Sequence, residues 1–195
     1  MRRTGFRPRL WMLLAFLLCT PVRADWVLTP ESSLAVVSVK QYHRPEIHRF
    51  EDIEGRLYPS GEARLDIQLA SIATGVENRD SRLRDELFEV ARFPRARIRV
   101  KGDMTQLQAL APGEAEATTL NGSLSLHDRE QEIQAAVTVL RLRSGGFRVL
   151  SRHPVLLDVR DFGLGASVRL LATLARLDHI SYAIPVSFDL VFRPS

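Results

Sequence analysis

The segment TGVENRDSRLRDELFEVARFP, residues 74–94, is the most highly charged stretch of the sequence. Clustered arginines can bind phosphate or nucleic acid, and neighbouring carboxylates such as Asp85 and Glu86 can work as an acid and base pair. Here, however, Leu83 and Leu87 recur at helical spacing while the charges occupy the other positions. The pattern predicts a short amphipathic helix with a solvated charged face.

The rest of the sequence offers no recognisable catalytic constellation. It contains no nucleophile elbow, no phosphate-binding loop and no dinucleotide-binding glycine fingerprint. The histidines are scattered, and His43 and His48 are five residues apart, which does not suit a shared metal site. We therefore predict no metal, no cofactor and no enzymatic activity. An enzyme whose catalytic residues assemble from distant positions stays an alternative.

Residues 1–24 have the features of a secretory signal peptide. Four arginines precede an apolar run over residues 10–19 that is too short to span a bilayer, and a small-residue cleavage pattern follows. Leu18 occupies the position where a lipoprotein signal needs a very small residue, so Cys19 is not expected to carry a lipid. We predict a periplasmic protein that begins near Asp25 and does not insert stably in the membrane.

Removal of this segment would change the charge of the chain. Residues 1–24 contain five of the 27 Lys and Arg residues and none of the 23 Asp and Glu residues. Residues 25–195 therefore carry 22 basic and 23 acidic side chains, a net charge of about −1. Without a net positive charge, nucleic acid is not an expected partner. The single cysteine, Cys19, lies in the predicted signal, so no disulfide is expected.

Alternating apolar and polar residues predict β-strands through most of residues 25–195. The period of two is clear in RLDIQLA (64–70) and RARIRVK (95–101) and recurs in roughly eight segments, and a second helix is predicted over residues 166–179. No linker divides the segments, so we predict one mainly β domain over residues 25–195. About eight antiparallel strands with one apolar face can form a sandwich or a closed barrel.

In a barrel, the alternation decides which side chains face the lumen. The inward-facing candidates are aliphatic, which suits an apolar ligand or a lumen that its own side chains fill. The residues predicted to line the lumen and contact a ligand are Leu65, Ile67, Leu69, Ile98, Val100, Leu124, Leu126, Val137 and Val139.

Four segments resemble the YceI-like family of secreted bacterial proteins. SIATGVENRDSRLRDELFEVARFPRARIRV has the family's Thr, Arg-Asp, Leu-Arg and Phe-Pro pattern before a strand. NGSLSLHDREQEIQAAVTV resembles its later strand pair, VRDFGLG its Asp-Phe-Gly segment, and DWVLTPESSLAVVSV its opening strand. The resemblance implies an antiparallel eight-stranded lipocalin-like β-barrel with two short helices. It also implies an apolar tunnel that binds long-chain lipids such as polyisoprenoids.

The function that the resemblance implies is a periplasmic carrier that holds a polyisoprenoid or fatty-chain lipid in the barrel lumen. Arg79 would then lie at the tunnel mouth and contact a polar or phosphorylated head group. The alternatives are a secreted enzyme that acts on such a lipid and a solid barrel that binds a protein partner. Asp128 stands where the family commonly has Gly. The sequence leaves the oligomeric state open, with a homodimer among the alternatives.

Overall fold

The computed structural model describes residues 25–40 and 45–195, so the predicted signal peptide and His43 lie outside the described residues. Twelve strands and three short helices occur in the described ranges. The strands are β1 (Trp26–Leu28), β2 (Ser33–Ser38), β3 (Glu46–Phe50), β4 (Ile53–Leu57), β5 (Glu62–Gln68), β6 (Ile72–Ala73), β7 (Arg95–Lys101), β8 (Ala115–Leu126), β9 (Arg129–Arg141), β10 (Phe147–Ser151), β11 (Val155–Asp158) and β12 (Ala183–Pro194). The helices are α1 (Glu77–Arg82), which continues as a π-helical turn over Leu83–Leu87, α2 (Met104–Ala109) and α3 (Gly165–Leu174).

These twelve strands form one closed antiparallel barrel of eight rows. Four rows each contain two consecutive strands, namely β1 with β2, β3 with β4, β5 with β6, and β10 with β11. The strands β7, β8, β9 and β12 each form a row alone. Every row pairs with the next one along the chain, and β12 closes the barrel by pairing with both β1 and β2. The predicted mainly β, eight-stranded lipocalin-like barrel is therefore confirmed.

Proline accounts for two of the breaks that divide a row into two strands. Pro30 lies between β1 and β2, and Pro154 lies between β10 and β11. Because proline has no backbone N–H, it removes one hydrogen bond from a ladder and so favours a break in the strand. The barrel stays closed at both breaks because β12 pairs with the strands on either side of each one.

The predicted alternation is clearest on β5 and β7. Leu65, Ile67 and Ala96 are buried, whereas Arg95 and Arg97 are exposed. The arginines of β7 therefore cover the outer surface of the barrel and do not join the arginines of α1. Their outward position leaves the lumen to aliphatic side chains.

The structure has one helix more than the sequence predicts. The first predicted helix corresponds to α1 with its π-helical turn, and the second corresponds to α3. Both predicted helices are therefore present, and α2 is a third helix that was not predicted. The Asp103 side chain caps it, accepting hydrogen bonds from the backbone N–H groups of Thr105 at 2.9 Å and Gln106 at 3.3 Å. Within the described ranges no helix is long and apolar enough to cross a membrane.

Two apolar clusters pack the barrel. One contains Trp26, Val137 and Phe147, and the other contains Leu69 and Phe162. In the first cluster the Trp26 and Phe147 rings meet edge to face with their centroids 5.3 Å apart. Side chains of each cluster also border unfilled space in the barrel lumen.

Candidate ligand cavity

An apolar cavity in two parts occupies the barrel lumen. The larger part has a volume of about 260 Å³ and the smaller part about 130 Å³. Five aliphatic side chains border both parts and therefore form the constriction between them: Leu34, Ile98, Leu124, Leu157 and Val186. An aliphatic cavity of roughly 150 Å³ already stays dry and accepts a small apolar guest. The lumen is therefore hollow, and its walls suit an apolar ligand.

Eight of the nine predicted lumen residues border this cavity. Ile67, Leu69 and Leu126 border the larger part, Leu65, Val100 and Val139 border the smaller part, and Ile98 and Leu124 border both. Val137 is the exception, because it borders neither part and is fully buried in the cluster that contains Phe147. Whether any of these side chains contacts a ligand stays a prediction.

The smaller part of the cavity ends at α2 and at two loops, which contain Gly61 and Gly102 and pack against each other. Gly61, Gly102 and Leu107 of α2 border it there. The Gly102 N–H donates to the Gly61 carbonyl at 2.8 Å, and a Cβ atom on Gly61 would lie only 2.1 Å from the Gly102 carbonyl oxygen. Gly61 also has a φ of 87°, which favours glycine. Glycine therefore allows the two loops to pack together at this end.

All polar side chains that border the described cavity belong to its larger part. They are Ser38, Lys40, His48, Arg79, Arg82 and Ser181. The register of β2 and β3 sets their depth: Leu34 lies at the constriction, Val36 pairs with His48, and Ser38 pairs with Glu46. Along β2, Ser38 is about 13 Å from Leu34 at the usual rise per residue. The cavity is thus apolar at the constriction and polar at the far end of its larger part.

A network of charged groups surrounds that polar end. The Glu46 carboxylate accepts hydrogen bonds from Lys40 and, at 2.7 Å, from Arg79 Nη1. The hydrogen bond from Lys40 and the positive charge of Arg79 hold the pKa of Glu46 below its ordinary value. Arg79 also donates through Nε to Thr74 Oγ1 at 2.8 Å and through Nη2 to the Thr74 carbonyl at 2.9 Å. Its Thr74 partner donates in turn to the buried Asp80 carboxylate.

This network bears on the proposed role of Arg79. Arg79 does border the cavity, as the tunnel-mouth prediction requires. However, three of its nitrogen atoms already donate to acceptors of the protein itself. A ligand anion would have to share or replace these bonds. Contact between Arg79 and a head group stays a prediction.

His48 is the site residue that the sequence analysis missed. It is only 6% exposed, and its Nε2 lies 2.7 Å from Ser38 Oγ. Its Nδ1 is buried and has no hydrogen-bond partner among the described residues. Burial lowers the pKa of His48, and the charge of Arg79 acts in the same direction. An unpaired buried nitrogen costs about 1–3 kcal/mol.

The sequence did contain a signal for this residue. In EIHRF, which forms β3, Ile47 and Arg49 alternate with His48. Ile47 is 73% exposed, so the period of two places His48 on the inner face. The pattern was not recognised because the outward residue is apolar and the inward residue is polar, the reverse of the usual arrangement. No group of three His, Cys, Asp or Glu side chains that could hold a metal occurs in the described ranges.

The fold and the cavity together define a class: a closed eight-stranded barrel built around an apolar ligand cavity. Family comparison gives the narrower assignment. The YceI-like domain matches residues 26–192, and the chain belongs to this family. The predicted family is therefore confirmed.

The solved structures support the same assignment. The chain is similar to a polyisoprenoid binding domain from Saccharophagus degradans, implicated in plant cell wall breakdown, with 34% identity and a TM-score of 0.85. The match covers 88% of this chain and 99% of that domain. Burkholderia cenocepacia BcnA shares the fold at 17% identity and a TM-score of 0.63, with 83% of this chain and 96% of BcnA covered.

A third structure, the YceI protein of Campylobacter jejuni, has 18% identity and a TM-score of 0.50. That match covers 74% of this chain and 82% of the other. Comparison with curated proteins found no match.

Proposed function

We propose that this protein is a periplasmic carrier that holds a long-chain apolar lipid, a polyisoprenoid or a fatty-chain molecule, in the barrel lumen. The observation that carries the proposal is the two-part cavity, in which all the described residues that border the smaller part and the constriction are apolar or glycine. The similarity to the polyisoprenoid binding domain of Saccharophagus degradans supports the same ligand class. A carrier of this kind would shield the lipid from water during transport or storage.

Burial of the lipid chain supplies the binding free energy in this proposal. Each CH₂ group removed from water contributes about 0.8 kcal/mol. A chain of about ten carbons would therefore bind without any polar contact, and a polar group would add selectivity. An empty lumen also lowers the stability of the fold, because unfilled cavities cost roughly 24 cal/mol per Å³. The lipid would recover part of this cost by filling the cavity.

The periplasmic location rests on the signal-peptide features of residues 1–24. The protein recovered from the periplasm should begin near Asp25 and dissolve without detergent. Its intact mass and N-terminal sequence test this expectation. An N-terminal Cys19 that carries lipid would show instead that the protein is anchored to the membrane.

An enzyme that acts on the lipid is the second candidate, because Ser38 and His48 form a hydrogen-bonded pair beside the cavity. A serine nucleophile needs a base, and the base is usually oriented by an acid on its other nitrogen. His48 Nδ1 has no such partner among the described residues. The missing acid favours a binding role for the pair. Hydrolysis of long-chain p-nitrophenyl esters that depends on Ser38 would favour the enzyme.

Native mass spectrometry of protein purified from its natural periplasm tests the carrier. We expect a bound molecule that organic solvent extracts and whose mass corresponds to a polyisoprenoid or fatty-chain lipid. The delipidated protein should take the same molecule up again. If it carries no lipid and binds neither polyprenols nor fatty chains, the carrier proposal is wrong and the cavity has another use.

A further inference from the structure

The pair formed by Ser38 and His48 is a hydrogen-bonding site that the apolar packing of the barrel does not require. The pair lies on the inner faces of β2 and β3, and both side chains border the larger part of the cavity. Buried polar atoms are nearly always hydrogen-bonded in proteins, by the chain, by water or by a ligand. His48 Nδ1 has no partner in the described part of the chain although the residue is only 6% exposed. His48 borders the cavity, but Nδ1 itself has almost no accessible surface, so a ligand oxygen meets this nitrogen once the imidazole ring turns toward the cavity.

The groups around the pair favour an uncharged partner. Lys40 and Arg79 both donate to the Glu46 carboxylate, and the Asp80 carboxylate accepts from Thr74, so the four charges that act on His48 sum to zero. Arg82 also borders the cavity, but its side chain is exposed and solvent screens its charge. A buried ionised group would need a dedicated counter-charge. Apart from the exposed Arg82, the described cations that border the cavity, Lys40 and Arg79, are already bonded to Glu46.

We infer that His48 and Ser38 bind an uncharged oxygen group, a hydroxyl or a carbonyl, at the polar end of an otherwise apolar ligand. The inference rests on the proposed lipid-binding function and adds the chemistry of the ligand's polar end. The apolar chain runs from His48 past the constriction at Leu124 into the smaller part of the cavity. The ligand thus has one orientation, with its oxygen in the larger part.

A hydroxyl group fits this site in either arrangement of the imidazole proton. If Ser38 donates to Nε2, Nδ1 carries the proton and donates to the ligand oxygen. If Nε2 carries the proton and donates to Ser38, Nδ1 accepts from the ligand hydroxyl. A carbonyl fits only the first arrangement. A neutral histidine therefore serves both groups, whereas a hydrocarbon would leave Nδ1 without a partner.

Three probes with the same chain length separate the possibilities: tetradecane, 1-tetradecanol and myristate. Their affinities for the delipidated protein are measured by displacement of a fluorescent apolar dye, and the readout is the ratio between probes. We expect the alcohol to bind about tenfold more tightly than the alkane, as one net hydrogen bond predicts. We expect myristate to bind no more tightly than the alcohol.

The variant His48→Phe keeps a ring at this position and removes both nitrogen atoms. It should abolish the preference for the alcohol while alkane affinity stays the same or increases. His48→Asn places an amide near the position of Nδ1 and should retain part of the preference, which a purely structural role would not predict. Arg49→Gln, on the outer face of β3, is the control and should leave all three affinities unchanged.

The outcomes distinguish this inference from the carrier proposal. If the unaltered protein binds all three probes but does not prefer the alcohol, or if His48→Phe keeps the preference, the inference is wrong while the carrier stands. If myristate binds tenfold more tightly than the alcohol, the site recognises an anion and the inference is also wrong. If the protein binds no probe, the carrier proposal fails and the inference fails with it.

Discussion

The two parts of the cavity differ in chemistry and in how they end. The smaller part is bordered only by apolar side chains and glycine among the described residues, and the loops that contain Gly61 and Gly102 pack together at its end. The larger part contains all the polar side chains that border the described cavity, including His48 and Arg79. A hydrocarbon chain therefore has a favourable environment in both parts, whereas a polar group has partners only in the larger one. The comparison indicates that the lumen can orient an amphiphilic ligand.

The largest expected effect comes from filling the constriction between the two parts. Leu124→Trp places an indole where Leu124 borders both parts of the cavity. If the chain passes this point, loss of about four buried CH₂ groups should weaken binding more than a hundredfold. Stability should change little because the ring enters unfilled space. Lipid retention and thermal unfolding measure the two effects.

Ser125→Trp is the matched control for this substitution. Ser125 is the neighbour of Leu124 on β8 and pairs with Arg97, whose side chain is exposed on the outer face of β7. A tryptophan there should alter neither lipid retention nor unfolding. If Leu124→Trp is clearly destabilised and the parent protein carries no lipid, the lumen behaves as a packed core.

A second substitution tests whether added bulk costs more stability in the packed part of the barrel than in the hollow part. Val137 is completely buried, borders neither part of the cavity and packs in the cluster with Phe147. Val137→Phe must displace its neighbours, so we expect a loss of about 1–3 kcal/mol in the free energy of unfolding. Chemical denaturation measures it. A Val137→Phe protein as stable as Leu124→Trp would remove the distinction between the two regions.

The difference between Val137 and the other lumen residues shows how far the sequence could predict the site. Period-two alternation correctly identified which side chains of β5, β7 and β8 point inwards, since that follows from strand geometry alone. It could not separate an inward residue that borders empty space from one that is packed. That distinction depends on which side chains of distant rows meet across the barrel. The hollow lumen was expected only from the family resemblance.

The polar end of the cavity was less predictable. The place of Arg79 at the start of a helix led to the prediction of a head-group contact, and Arg79 does border the cavity. Its partner Glu46 is 33 residues away, and the pairing of β3 with β6 brings the two side chains together. His48 was missed because apolar Ile47 occupies the outer face. The capping pattern of Asp103 and Gln106 at α2 was present in the sequence but was not recognised.

The next prediction concerns the role of Arg79 in the larger part. Arg79→Ala removes three hydrogen bonds to Thr74 and Glu46. Because the arginine is partly buried, we expect a loss of roughly 1–3 kcal/mol in unfolding free energy. The structural role predicts equal weakening of myristate and 1-tetradecanol. Selective loss of myristate, with no change in stability, would support the head-group contact predicted from the sequence.

The pH dependence of stability should also distinguish the two parts, because all the described titratable side chains that border the cavity, His48 among them, belong to its larger part. Burial holds the pKa of His48 below its ordinary value of 6.5. As the pH falls from 7 to 5.5, the unfolded chain takes up a proton before the folded protein does, so stability should decrease. Arg79 and Lys40 lower the pKa of His48 further, while Glu46 and Asp80 raise it.

Unfolding free energies of the parent and of His48→Phe at several pH values measure this contribution. The parent should lose more stability than the variant over this range. The pKa of His127 is lowered by burial as well, so the variant should keep a smaller slope. Equal slopes in the two proteins would show that His48 takes up its proton as readily in the folded state as in the unfolded one.

The smallest expected effect lies at the turn between β8 and β9, where a substitution should change stability without changing ligand binding. His127 and Asp128 form this two-residue turn, with φ angles of 55° and 56°. Such turns favour Gly at the second position, because a side chain in this conformation is strained. Asp128→Gly should therefore stabilise the protein by up to about 1 kcal/mol. The greater conformational entropy of glycine in the unfolded chain reduces this gain. Asp128 borders neither part of the cavity, so the affinities for all three probes should stay the same. If the preference for the alcohol over the alkane changes, the turn influences the polar end of the cavity. Ligand selectivity would then depend on residues that do not border the lumen.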